Sequence, residues 1–382
     1  MKAALIHDWL TGMRGGEKCL EAFCELFPYA DLYTLVFDPD SVSPAIRRMN
    51  VKTSSIDRLP GAKKRFRYFL PLFPRAIGSF ELGDYDLIVS SSHCVAKGVF
   101  PGGALHISYI HSPMRYVWDL HHAYFGSNAS WATRAGMALF RGYLQRWDVR
   151  SAERVDYFIA NSTNIAGKIE RLYGRASQVI YPPVDLDKFY ISDRQEPFYL
   201  IVSALVPYKS IQLAIAAFNE LKLPLKVVGE GPLRNSLERQ AGENIEFTGW
   251  VDDARLAKLY AECEALIFPG EEDFGIVPLE AQASGRPVIA YAKGGCTESI
   301  IGLDDCSNGA GPTGIFFSVA TPRSLIEAVR RYQAIRQLFD PAALRRHASQ
   351  FSRTVFKTRM EQFVNAKLQE RASSAHQNAQ AI

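Results

Sequence analysis

No two of the six cysteines (Cys19, Cys24, Cys94, Cys263, Cys296 and Cys306) form a C-x-x-C pair or a regular framework. That excludes a zinc ribbon or finger and a disulfide-stapled fold, and it points to reduced thiols in a cytoplasmic protein. Apolar runs are short: none approaches the roughly 20 residues a helix needs to cross a bilayer. Met1 to Ile6 is broken at once by His7 and Asp8, so it reads as a first strand and not as a signal peptide. Excess charge is also small, at +4, with no long Lys/Arg run, which argues against a nucleic-acid partner. No repeat of solenoid length is visible. What remains is ordinary globular composition, 47% hydrophobic and 22% charged, over 382 residues, about two domains' worth.

Short apolar runs alternate with helical patterns. The first series is Ala3 to Ile6, Leu32 to Phe37, Leu87 to Ser90, His106 to Ile110 and Tyr157 to Ala160. The second is Phe198 to Leu205, Leu225 to Val228, Ile245 to Thr248, Ala265 to Phe268 and Val288 to Tyr291. Such alternation predicts an α/β chain with two doubly wound parallel sheets. Pro182-Pro183 can neither continue a helix nor supply a ladder donor, so the hinge is expected there or just after it. The expected division is 1–188 and 189–351, with a last amphipathic helix over 352–371 and a polar, aperiodic, disordered tail over 372–382.

Glu271-Glu272-Asp273-Phe274-Gly275-Ile276-Val277-Pro278-Leu279-Glu280 sets two carboxylates around a glycine turn that opens into a helix. Proline is tolerated in a first helical turn and Gly285 stops the helix. Free N–H groups at such a start point toward an anion, with Glu272 outside the helix and Glu280 inside it.

This Glu-x7-Glu arrangement, followed by a small-residue turn and Pro287-Val288-Ile289-Ala290, resembles glycosyltransferase family 4. So do His7 to Glu17, Tyr109 to Tyr116, Val202 to Lys209 and Val227 to Pro232, so that the likeness covers nearly the whole chain. The resemblance implies a retaining GT-B enzyme, two Rossmann-like domains facing a central cleft, with the last helix crossing back onto the N-terminal domain. It implies a hexosyltransferase, most simply a mannosyltransferase using GDP-mannose, acting on a surface-polysaccharide or polyprenyl-linked glycan. No cofactor and no metal are expected, because enzymes of this build neutralise the diphosphate with cations and helix ends. His111 and Glu272 are the expected catalytic residues, the first near the reacting carbon and the second on sugar hydroxyls. Donor contacts are expected from Gly15, Gly16, Lys209, Phe274, Gly275, Ile276 and Val277, with Glu280 on the ribose and Gly249, Trp250 and Val251 at the base. The Arg that usually stands five residues before the Lys is here Ala204, and losing one fixed cation from a charge-developing site costs several kcal/mol. Arg14 and Arg115 are candidate replacements.

Other features carry less. His93 is balanced between packing and an acceptor contact. Asp38-Pro39-Asp40 and Asp185-Leu186-Asp187 match a metal-binding D-x-D only as short acidic pairs beside proline turns, and Asn161-Ser162-Thr163 reads as a strand end despite fitting a glycosylation sequon. Lys63 to Arg75 mixes cations with aromatics and suits an anionic bilayer, placing the protein in the cytoplasm or at the inner face of the cytoplasmic membrane. Two alternatives stay open: a nucleotide-sugar epimerase on the same architecture, and a binding subunit that lost catalysis with the Arg replaced by Ala204.

Overall fold

The computed structural model describes residues 1–115, 117–118, 131–305 and 311–380. It divides into two compact units, Met1–Pro183 with the stretch from Thr354 onward, and Val184–Arg353. Among the described residues the first unit holds β1 (Ala3–His7), β2 (Asp31–Thr34), β3 (Asn50–Thr53), β4 (Leu87–Ser92), β5 (Leu105–Ile110), β6 (Tyr157–Ala160) and β7 (Ser177–Val179). They form one parallel sheet in the order β3-β2-β1-β4-β5-β6-β7. The second unit holds β8 (Tyr199–Val202), β9 (Leu225–Val228), β10 (Ile245–Gly249), β11 (Leu266–Phe268), β12 (Val288–Tyr291) and β13 (Gly314–Phe317). Its sheet is also parallel, in the order β10-β9-β8-β11-β12-β13. The α/β doubly wound class expected from the alternating pattern is what the chain adopts.

Parallel strands need helical crossovers on both faces, so both faces must be apolar. In β1, Ala4 and Ile6 join one apolar cluster with Tyr33, Phe66 and Ile77, while Leu5 joins the other with Leu20, Phe23 and Ile107. Helix α1 (Gly15–Leu26) follows β1, its start held by the Arg14 backbone N–H donating to the Glu17 carboxylate at 3.0 Å. Helices α2 (Trp131–Ser151) and α3 (Thr163–Tyr173) follow β5 and β6. The second unit repeats the plan with α4 (Ile211–Leu221), α5 (Asp253–Glu262), α6 (Ile276–Ala283), α7 (Pro322–Ile335) and α8 (Pro341–Ser349).

In three places the structure departs from the sequence reading. Strands β3, β7 and β13 were not expected; each lies at a sheet edge, and β3 and β7 carry polar, partly exposed residues with no alternating signature. Val184 to Lys188 belongs with the second unit. Val184 N–H donates to Phe351 O at 2.8 Å, Arg345 donates to Leu186 O at 3.2 Å, and Lys188 pairs with Asp253 at 2.8 Å. Finally, the last helix, α9 (Arg353–Gln380), continues through most of the stretch expected to be a disordered tail. Its Ala and Gln residues favour helix even where no apolar stripe marks it. Its first turns bury Phe356, Met360 and Val364 in the first unit's core, with the Phe356 ring 5.4 Å from Phe23 and 5.7 Å from Tyr109.

Candidate functional site

Strand order reverses between β1 and β4 in the first unit and between β8 and β11 in the second. At such a switch point neighbouring crossovers leave to opposite faces, opening a crevice beyond the carboxyl ends of the strands. The chemistry-bearing residues of each unit gather at these two places.

In the first unit, β1 ends on His7 and is followed by Asp8, both fully buried. The Asp8 carboxylate accepts the backbone N–H groups of His93, Cys94, Val95 and Ala96 at 2.5 to 3.0 Å and lies 3.1 Å from His93 Nδ1. It therefore fixes the turn after β4. Ser91 Oγ, on β4, bridges His7 Nδ1 at 3.1 Å and His111 Nε2 at 2.8 Å. The His111 carbonyl accepts from Asn161 Nδ2 at 3.1 Å, which gives the unglycosylated strand-end reading of Asn161 a structural role. Gly16, at the start of α1, sits over this group: a Cβ there meets His7 Cε1 at 3.7 Å and His111 Nε2 at 3.8 Å. Burial first, then the charges of His93 and His7, hold His111 well below the ordinary histidine pKa, so it is neutral. Arg14 is exposed and Arg115 half-buried.

In the second unit, Lys209 after β8 and Glu272 after β11 form an ion pair across the switch point. Both are largely buried, at 15% and 21% side-chain exposure, in a pocket also lined by Ser203, Phe268 and Gly270. Gly275 caps α6 at φ +86°, a left-handed conformation that favours glycine, and its N–H end is the start of an eight-residue helix. Ile276 and Val277 occupy its first turn, half-buried. Glu280 is only 4% exposed, and Tyr260 on α5 donates to its Oε2 at 2.8 Å. Burial and then the Glu280 charge push the Tyr260 phenol well above its ordinary pKa, so it stays a donor that orients the carboxylate. At the end of β10, Gly249 is also left-handed at φ +71°, Trp250 is 78% exposed and Val251 is buried.

These placements sort the sequence assignments. Lys209 and Glu272 come together, as do Gly16 and His111, while Gly275 sits against Phe268. Phe274 is buried with its ring 6.0 Å from Phe351, so its side chain packs and only its backbone faces the turn. Asp38 accepts from Ser41 Oγ and pairs with Lys63 at 3.8 Å, and Asp185 pairs with Lys188 at 3.9 Å, so these two carboxylates serve local structure. Tyr116 and Cys306 lie outside the described residues. Several contributors went unassigned. His7, Asp8 and Ser91 were masked by strand-like surroundings. Gly294-Gly295 allows the loop after β12 to press on Glu272 and Asp273, where a Cβ would fall 2.3 and 2.2 Å from their carbonyl oxygens. Arg234, held by Glu230 and Glu238, lies beside Gly249, 2.9 Å from where its Cβ would stand.

Two family models match the chain in succession: "Glycosyltransferase Family 4" over residues 15–188 and "Glycosyl transferases group 1" over 185–348. Among similar proteins, the O-antigen chain mannosyltransferase C of Escherichia coli is 29% identical over 38% of this chain and 44% of its own length. A GDP-mannose-dependent phosphatidylinositol dimannoside mannosyltransferase of Mycobacterium tuberculosis is 37% identical over 30% of each chain. This chain thus spans about half or less of such relatives. Among solved structures, sucrose-phosphate synthase from Thermosynechococcus elongatus superposes with a TM-score of 0.72 at 18% identity, covering 97% of this chain and 100% of that one. Anabaena HepE in complex with UDP and glucose gives 0.69 at 18% identity, covering 96% and 99%. At that identity the likeness establishes the GT-B fold alone.

The buried histidines give the fold a pH dependence. Burial lowers His106, fully enclosed against Ser90 and the Arg154 carbonyl, to about 4, and burial holds His111 well below its ordinary value. The unfolded chain protonates near pH 6.5 while the folded chain does not, so stability is intact above about pH 6.5 and is lost as pH falls toward the folded values. Each histidine contributes a slope of up to about 1.4 kcal/mol per pH unit in that window. Urea unfolding at pH 7.5 and pH 5 should show the loss, and equal midpoints would remove the neutral, buried assignment.

Proposed function

This chain belongs to glycosyltransferase family 4, and from that premise we propose that it is a retaining, metal-independent hexosyltransferase whose donor is GDP-mannose. The observation that carries the reading is the Lys209–Glu272 pair at the β8/β11 switch point, set immediately before the left-handed cap of α6. In this reading Lys209 exchanges its carboxylate partner for the donor diphosphate, whose charge grows as the glycosidic bond breaks. Glu272, released, accepts hydrogen bonds from sugar hydroxyls. The N–H groups of Gly275, Ile276 and Val277 stabilise the phosphate at the helix start. Glu280, aimed by Tyr260, takes the ribose hydroxyls, and the Gly249 to Val251 turn meets the base. The mannose assignment draws support from the two mannosyltransferase relatives, and the acceptor we assign is a surface-polysaccharide or lipid-linked glycan.

To Gly15, Gly16 and neutral His111 of the first unit this reading assigns contacts with sugar hydroxyls. No side chain is needed as a conventional base. In a front-face route the departing diphosphate oxygen removes the acceptor proton as the new bond forms on the same face, which retains configuration. With Ala204 where a second cation usually stands, Arg14 or Arg115 completes charge neutralisation in this proposal.

A membrane contact is part of the same reading. In the segment 63–75, Phe66, Leu70 and Phe73 are buried while Lys63, Lys64, Arg65, Arg67, Tyr68 and Leu72 face outward. Cations beside an exposed Tyr and Leu suit the headgroup region of an anionic bilayer.

A thermal-shift panel of GDP-, UDP- and ADP-sugars tests the donor, since a ligand at 100 times its Kd stabilises the folded state by about 2.7 kcal/mol. GDP-mannose should raise the midpoint most in the wild type, and Glu280→Ala should lose most of that shift. A UDP- or ADP-sugar that stabilises more would replace the mannose assignment, and no response to any donor would remove the function. For the membrane contact, liposomes rich in anionic lipid should sediment the protein at low salt and release it at high salt. Protein that stays in the supernatant under both conditions excludes the surface.

A further inference from the structure

Four buried side chains of the first unit lie in sequence: Glu17, His7, Ser91 and His111, exposed by 5%, 0%, 1% and 8%. Glu17 Oε1 lies 3.8 Å from His7 Nε2, which has no hydrogen-bond partner of its own, and Glu17 Oε2 is occupied by the Arg14 N–H. His7 Nδ1 meets Ser91 Oγ, and Ser91 Oγ meets His111 Nε2. Asp8, the other carboxylate nearby, is saturated by four backbone N–H groups and His93, so it does not compete for His7. Although burial pushes Glu17 up, the neighbouring His7 and His93 imidazoles and its backbone hydrogen bond hold it below the ordinary carboxylate value, so it is an anion.

A serine hydroxyl has one proton to give, so of the two imidazole nitrogens touching Ser91 one receives that proton and the other donates to the oxygen. The Glu17 anion decides which. It favours a His7 proton on Nε2, facing the carboxylate, which in a singly protonated ring leaves Nδ1 as an acceptor. Ser91 then donates to His7 Nδ1 and accepts from His111 Nε2–H.

We propose that Glu17, His7 and Ser91 are positioning residues that fix His111 in its Nε2–H tautomer, so that Nδ1 is a lone-pair acceptor for a ligand hydroxyl. The backbone choice at Gly16 fits the arrangement, because a larger side chain there would lean on both imidazoles. The catalytic consequence rests on the glycosyltransferase reading: a sugar hydroxyl near the reacting carbon donates to His111 Nδ1, and the same nitrogen carrying a proton would repel it. None of the three positioning residues touches the substrate.

The test is a long-range 1H–15N correlation of histidine side chains in the full-length protein at mildly alkaline pH, with His111 assigned by its loss in His111→Gln. The expected spectrum shows His111 as Nε2–H in the wild type and in Ser91→Thr, which keeps the hydroxyl. Ser91→Ala, which removes the relay, and Glu17→Gln, whose amide can donate as well as accept, should both shift His111 toward Nδ1–H. In the same two variants kcat should fall on the order of 10-fold to 100-fold, as expected for a misoriented group, with donor KM nearly unchanged. A wild-type His111 carrying its proton on Nδ1 overturns the proposal, as does an unaltered His111 tautomer in folded Ser91→Ala. Absence of transfer by the wild type would refute the proposed function instead, and the tautomer spectrum would still decide the relay.

Discussion

A strand followed by a parallel neighbour obliges the chain to cross over and re-enter from the same end, so in each sheet all the loops that follow strands emerge along one edge. Everything of chemical interest in this chain depends on that constraint. In each unit the crossovers diverge at a single interior position, β1/β4 and β8/β11, and there a polar group can be buried without displacing a helix. The first unit uses the place for a row of imidazoles and carboxylates held by backbone N–H groups. The second uses it for one lysine and one glutamate. The two sheets are alike in construction and differ in the charged groups they hold at that place.

Charge burial explains why these groups come in sets. A lone carboxylate at Asp8's depth carries a desolvation penalty of several kcal/mol, and it is offset here by four backbone donors. Lys97 and Asp148, buried behind the same turn, solve the problem differently: they pair at 3.0 Å, and Trp118 and Tyr173 each donate to the second Asp148 oxygen at 2.9 Å. The Lys209–Glu272 pair is the exception because both members keep some access to solvent. An ion pair that is only partly buried is the kind a competing anion can open, whereas the Asp8 and Asp148 sets are built to stay closed.

The fold was legible because buried parallel strands read as apolar runs: Leu87 to Ser90 and Val288 to Tyr291 could be little else. Edge strands were not legible, since Asn50–Thr53 and Ser177–Val179 need cover on fewer sides and show no pattern. The Glu272 to Glu280 turn stood out through its glycine and paired carboxylates. The partners that aim those groups did not. Tyr260 is one tyrosine on an amphipathic helix, and Ser91 is one of three consecutive serines on a buried strand, so nothing in their spacing separates a hydrogen-bonding role from packing. Ala204 marks the reverse case: the family resemblance marks a position where a cation usually stands, while any substitute for it depends on contacts that spacing alone does not encode.

The central claim is that Lys209 leaves Glu272 to meet the donor diphosphate. Calorimetric titration of GDP into wild type and Lys209→Met measures this most directly, because GDP carries the diphosphate without the sugar that Glu272 would hold. The account predicts that the substitution weakens GDP binding on the order of 10-fold to 100-fold while the protein stays folded, the scale of removing one partner from a desolvated charge contact. Equal affinity in the two proteins would contradict it.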